Sequence, residues 1–251
     1  MHARWIALAA LLPCAAAAEP VPAQAAAPAT GGFKGALLDT TSILAWPLQL
    51  ESADLLLLGG AALATVGLLR ADIRLYSRLD NLHWTLHRRS LFNYTLLAGD
   101  GLVDLAVMGA FAFGDEKAQR TSVTGIEALL SAGATSVLLK HVFRVPRPND
   151  GAGEKRYFHR FRDDAFPSGH TMSAFATASV ISSAYPTAAP FAYGTAALVG
   201  LSVMKRGWHW PSDVLAGGAL GALIGQVAVR VNRRRIALSA APGGIGVQAD
   251  I

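Results

Sequence analysis

Three short clusters in this chain combine residue types that could do chemistry, and each sits at the mouth of an apolar run. The stretch GWHWPSD, Gly207 to Asp213, places His209 four residues before Asp213. At that separation a carboxylate can reach one imidazole nitrogen, set the tautomer and leave the other nitrogen free as a nucleophile. Pro211 suits a first helical turn, and Asp213 there complements the helix dipole. Trp208 and Trp210 flank the pair as packing or as an interfacial aromatic belt. In FPSGHT, Phe166 to Thr171, Ser168 is a natural N-cap and Gly169 leaves the backbone open to close approach. The free N–H groups of that helix start make an anion site, with His170 beside it. In KHVFRVPRP, Lys140 closes an apolar helix and Arg147 follows just before Pro148. Taken alone, the two cations are explained by a helix C-terminus. Taken together, the clusters would lie at one end of a bundle, because one helix ends there, the next begins there, and a returning hairpin leads into the last. Two cations, a helix start and two histidines add up to a phosphate pocket with a nucleophile and an acid. No carboxylate cluster is available to hold a metal, and no cofactor is expected.

The elements that must carry these residues are apolar and helical. Of 251 residues 52% are apolar and only 16% charged, well below the roughly 25% of an ordinary soluble domain. Mean hydropathy is +0.35. Apolar stretches cover roughly 53–69, 93–113, 122–143, 171–186, 190–204 and 212–231, the fourth and fifth split by Pro186 and Pro190. They predict an all-α bundle of about six helices, membrane-embedded although each apolar core is short for a span. Asp100, Asp104 and Glu127 lie within these stretches and are expected to face the bundle interior. Gly217, Gly221 and Gly225 recur at helix-packing spacing. Arg70, Arg74 and Arg78 read as a basic extension of the first helix. The net charge of +5 suits anionic lipid or phosphate ligands, and the dispersed basic residues exclude a polybasic nucleic-acid arm.

The N-terminus reads as a signal peptide over 1–18, with Arg4, an apolar run from Trp5 to Leu12 and small residues at Ala16 to Ala18. Residues 19–32 read as a flexible exported linker, 33–236 as one helical domain, and 237–251 as a tail or small hairpin. Cys14 is the single cysteine, so no disulfide framework is possible.

With these residues in view, the chain resembles the type 2 phosphatidic acid phosphatase family, which shares its fold with vanadium haloperoxidases and bacterial class A acid phosphatases. The family's first motif is matched by Lys140 and Arg147-Pro148, its second by Pro167 to His170, and its third by Ser202, His209 and Asp213. The resemblance covers about 140–220. It implies a metal-independent phosphatase in which His209 is the nucleophile, Asp213 orients it, and His170 is the general acid. Lys140, Arg147, Ser168 and the Gly169 N–H would hold the phosphoryl oxygens. The family's arginine in the third motif falls at Val203, which cannot donate to phosphate. Arg206, one helical turn on, is the expected substitute.

The resemblance points to a phosphorylated lipid or polyprenyl substrate at the bacterial inner membrane. Competing readings are a soluble periplasmic acid phosphatase of broad specificity and a non-catalytic phosphate- or lipid-binding membrane protein. Three spans before Lys140 and an exported N-terminus would turn the site to the cytoplasm. The family usually presents it to the periplasm when signal and substrate are exported. A periplasmic site is therefore expected, with one early segment not crossing.

Overall fold

The computed structural model describes residues 45–80, 94–150, 158 and 164–239. The expected signal peptide and linker, most of the 149–165 loop and residues 240–251 lie outside it. Among the described residues there are seven helices: α1 (Ser52–Leu69), α2 (Asp72–Asp80), α3 (Gly101–Ala110), α4 (Glu116–Phe143), α5 (Gly169–Ala184), α6 (Ala189–Lys205) and α7 (Pro211–Ser239). Residues 237–239, expected to begin the tail, still belong to α7.

Two expected helices are differently bounded. Arg70, Arg74 and Arg78 do not continue α1. The chain turns at Arg70 and Ala71, and α2 starts afresh at Asp72, whose carboxylate is drawn into a fully buried contact with Ser212. The 93–113 stretch is a ten-residue helix between two 3-10 turns. Asp100 is its N-cap, accepting from the N–H groups of Leu102 and Val103 at 3.0 and 3.3 Å. It therefore satisfies a helix end. Asp104 and Glu127 are buried as expected. Asn232 and Arg235 donate to the Glu127 carboxylate at 2.7 and 3.0 Å.

The centre of the bundle is α5, packed on α7, α6 and α4. Small residues let the helices touch backbone to backbone. A Cβ at Gly217, Gly221 or Gly225 would meet the carbonyl oxygens of Ser168, Met172 and Ala176 at 2.5, 2.1 and 2.7 Å. The four-residue step of the glycines thus runs in register with the four-residue step of α5, as small-residue packing requires. Ala128, Ala132, Met172, Ala176, Val180 and Ile224 form the core between α4, α5 and α7.

Among the described residues, four stretches are long and apolar enough to cross a membrane: Ser52–Leu69, Glu116–Asp150, Pro186–Lys205 and Pro211–Arg235. On α1, Leu55, Leu56, Leu57, Leu63 and Val66 are exposed. Such a face fits lipid and would be a liability in water. At its start, Asp54 and Glu51 are salt-bridged to Arg230. Ahead of α1, the Trp46 indole donates to Thr135 Oγ1 at 3.0 Å, and Trp46 packs on the core of α4, α5 and α7. Thr135 stands nearer to Lys140 than Glu127 does. The chain between Trp46 and Glu51 therefore already travels from the middle of the bundle towards the end where Arg230 lies. The early segment does not simply start at that end.

Candidate active site

The ends of α4 and α6 and the starts of α5 and α7 converge at one end of the bundle. Direct bonds tie them. Arg144 stops α4 in a left-handed conformation (φ 44°) and turns the chain away from the helix. Asn149 then donates from its N–H to the Gly207 carbonyl at 3.0 Å and from Nδ2 to the Arg206 carbonyl at 2.5 Å. Gly207 has φ +69°, and any Cβ there would collide with the Asn149 side chain, so glycine is required twice over. The Ala165 N–H donates to Val145 O at 2.8 Å, and the Ser168 N–H donates to the Asp213 carbonyl at 3.0 Å. The peptide bond between Phe166 and Pro167 is cis.

His209 is 2% exposed. Its Nδ1 lies 2.7 Å from the Ala165 carbonyl oxygen, which can only accept. Nδ1 therefore carries the proton, and Nε2 keeps its lone pair. The tautomer was expected to be set by Asp213. Instead, Asp213 Oδ2 stands 3.9 Å from Nδ1 and accepts from the Trp210 N–H at 2.8 Å. The fully buried Asp213 thus caps the turn into α7 and supplies negative charge beside the ring, while the backbone carbonyl does the orienting. Burial pushes the His209 pKa well below 6.5, and the positive charges of Lys140 and Arg147 add to the effect. Both effects favour the neutral imidazole, the form that nucleophilic attack would need.

Ser168 is buried and N-caps α5, its Oγ accepting from the Thr171 N–H at 3.4 Å and pairing with Thr171 Oγ1 at 2.9 Å. Gly169 stands against α4, where a Cβ would come within 3.1 Å of Ser136 Oγ and 3.9 Å of Lys140 Cε. The helix start is thereby brought up to the lysine. His170, half-buried, lies with its ring 5.6 Å from that of Trp208. Arg147 grips Asp164 with two bonds of 2.8 Å, from Nε and Nη2. Lys140 Nζ donates to the Asp164 carbonyl and lies 3.9 Å from its carboxylate. One carboxylate therefore faces both cations, in the bidentate geometry that phosphate also offers to arginine.

The arrangement is a buried imidazole, two cations and a capped helix start brought together at one end of the bundle. Comparison with known proteins bears on what it does. The family model described as PAP2 superfamily matches residues 123–237. The chain is 33% identical to the decaprenylphosphoryl-5-phosphoribose phosphatase of Mycobacterium tuberculosis, over 54% of this chain and 73% of that protein. This chain belongs to the PAP2 superfamily. It is also 38% identical to the lipid A 1-phosphatase of Porphyromonas gingivalis, over 29% of this chain and 18% of that protein. Among solved structures, it superposes on LpxE of Aquifex aeolicus with a TM-score of 0.50 and 21% identity, over 64% of this chain and 95% of the other. A transmembrane PAP2-type phosphatidylglycerolphosphate phosphatase from Bacillus subtilis gives 0.53 and 17%, over 72% and 96%.

Within the PAP2 frame, the third motif is rebuilt around Val203. That side chain is fully buried. Ser202 is also buried and bonds Thr95 Oγ1 and the Leu198 carbonyl, both at 2.7 Å, so its role is packing. Arg206 lies at the exposed rim, its guanidinium 5.0 Å from the Trp208 ring centre. Trp208 in turn meets His170, so an aromatic ring stands between Arg206 and His170. Trp210 is not an interfacial belt residue: it is 4% exposed and donates to the Pro146 carbonyl at 2.9 Å, whereas Trp208 is half-buried. Residue patterns alone missed three positions. Asp164 carries no motif. The Ala165 contribution is a backbone oxygen and has no side-chain signature. Asp72 takes the N–H and hydroxyl of Ser212 at 2.8 and 2.6 Å from a distant part of the chain.

Proposed function

We propose that this PAP2-type phosphatase hydrolyses a phosphomonoester or pyrophosphate of a membrane lipid through a phosphohistidine. The observation that carries the mechanism is the His209 tautomer, held by the Ala165 carbonyl with Nε2 bearing the lone pair. Nε2 attacks phosphorus, and the bond from phosphorus to the leaving oxygen breaks. His170 passes its proton to that oxygen. Arg147, Lys140 and the α5 start stabilise the charge that builds on the phosphoryl oxygens. Neutral His170 then takes a proton from water, whose oxygen attacks phosphorus. The bond to Nε2 breaks, and inorganic phosphate leaves. Asp213 offsets the charge on the His209 ring while the phosphoryl group is attached. Arg206 stands at the rim as the substitute for the missing motif arginine.

A lipid substrate is supported by the four spanning stretches and by relatives named for lipid-linked phosphates. Those names span phosphatidylglycerol phosphate, lipid A and a decaprenyl phosphosugar, so the class is lipid phosphate and the headgroup is open. Phosphate release by detergent-purified protein should be compared across phosphatidic acid, phosphatidylglycerol phosphate, undecaprenyl pyrophosphate and a water-soluble monoester. A lipid should be preferred in kcat/KM by at least about tenfold. Equal or better turnover of the soluble ester would refute the lipid assignment.

The bundle belongs in the bacterial inner membrane with its site open to the periplasm. The course of Trp46 to Glu51 supports this, because it runs from the level of Thr135 to the level of Arg230 before α1 starts back. Exported N-terminal residues and a periplasmic site are then compatible. A Ser42→Cys variant labelled in intact spheroplasts by an impermeant maleimide would agree. Labelling only after lysis would place the segment inside.

A further inference from the structure

At the end of the bundle opposite the site, a cleft of about 360 Å³ opens between the start of α4 and the ends of α5 and α7. It lies on the order of 30 Å from Lys140 and Asp213 along α4 and α7, at 1.5 Å per residue. Lys117, Arg120 and Arg233 line it against one carboxylate, Glu116. Glu116 is taken by Arg120, one turn along the same helix. Lys117 rests with Nζ 4.3 Å from the centre of the Tyr185 ring, and Arg233 Nη2 donates to the Ser183 hydroxyl at 2.8 Å. Both of these partners are neutral. Among the described residues the neighbouring cations differ, since Arg230 and Arg234 meet Glu51, and Arg235 meets Glu127. Among the described residues, the cleft therefore keeps two positive charges that no carboxylate pairs with.

Its deeper wall is apolar, with Val180, Ala184 and Val229. The spanning stretches Glu116–Asp150 and Pro211–Arg235 begin and end at this level. The cleft thus combines cations at headgroup depth with an apolar wall continuing into the bilayer. Neither a free anion nor a neutral lipid would use both parts.

We infer that this cleft binds the headgroup phosphate of an anionic phospholipid in the leaflet opposite the active site, with Lys117 and Arg233 as its ligands. The inference rests on the membrane placement and not on the chemistry at the other end. Full-length protein in detergent, with saturating vanadate occupying the catalytic pocket, is titrated with short-chain phosphatidylglycerol, phosphatidylcholine or inorganic phosphate, and thermal unfolding is followed. Phosphatidylglycerol should raise the transition temperature and the other two should not. In the Lys117→Gln/Arg233→Gln variant the midpoint should move to about tenfold higher lipid. The variant's stabilisation by vanadate should be unchanged, which shows that it is folded. A wild-type midpoint retained in the variant overturns the inference. So does an equal shift with phosphatidylcholine or with inorganic phosphate. If the variant fails to fold, Lys117→Arg/Arg233→Lys, which keeps both charges, must retain the wild-type midpoint; loss of the shift there overturns it too.

Discussion

Both ends of the bundle gather arginines and carboxylates, yet the two ends hold those charges in different ways. At the far end, Arg230 spans Glu51 and Asp54, and Arg235 meets Glu127, so charges from α1, α4 and α7 are consumed in stapling helices. At the site end, Arg147 and Lys140 share one half-exposed carboxylate, Asp164, which stands just ahead of the turn into α5. What separates them is not the amount of charge. It is an imidazole kept neutral by burial and by the cations beside it, its tautomer set by a backbone carbonyl, and those cations share one half-exposed carboxylate. A staple wants its charges neutralised for good, whereas a site wants them lent out.

The contrast can be broken first at the two arginines. Arg147→Ala should cut kcat/KM by about 10²–10³, because it removes a donor to the developing phosphoryl charge. Arg230→Ala should leave kcat/KM within about twofold. It should lower the free energy of unfolding by about 2–3 kcal/mol, because the buried Asp54 loses its counter-charge. Steady-state kinetics and thermal unfolding on the same preparations check both. Equal kinetic effects would mean the ends are not functionally distinct.

A subtler test uses pH. In the unfolded chain His209 takes a proton near 6.5, whereas burial holds it neutral in the fold to well below that value. Between those two values the unfolded state binds more protons. The stability due to neutral His209 is therefore whole above pH 6.5 and is lost as pH falls towards the native pKa. His209→Gln, which never titrates, should flatten the acid side of the stability curve. An unchanged slope would mean that the ring is charged in the fold.

The smallest expected effect concerns Asp164. Asp164→Asn should lower the KM for an anionic phosphate ester and the inhibition constant of inorganic phosphate by about two- to fivefold, since it removes a competitor for Arg147. A rise in both constants would show that Asp164 instead holds Arg147 in place for substrate.

Much of this was legible in the residues, and the rest was not for definite reasons. The helix starts at Ser168 and Pro211 follow from local capping chemistry, which needs only near neighbours. The glycines at 217, 221 and 225 announce a close helix contact by spacing alone. Convergence of Lys140, Arg147, Ser168, Gly169, His209 and Asp213 followed from helices running back and forth. The partner of His209 was hidden, because a backbone oxygen belongs to every residue and Ala165 advertises nothing. Asp72 and Ser212 are joined only by the fold, across most of the chain. Arg206 was placed by helical periodicity, but α6 ends at Lys205, so its side chain leaves along the Trp208 ring.

In the proposed reaction, Nε2 of His209 is the atom that accepts the phosphoryl group. Rapid quench into alkaline detergent after mixing protein with a ³²P-labelled lipid phosphate, followed by alkaline digestion and mass spectrometry, tests it directly. An acid-labile, base-stable phosphoryl group on His209 is predicted, absent in His209→Ala, whose turnover should fall by at least about 10³. A His209→Ala protein that still releases phosphate at the unmodified rate would contradict the account.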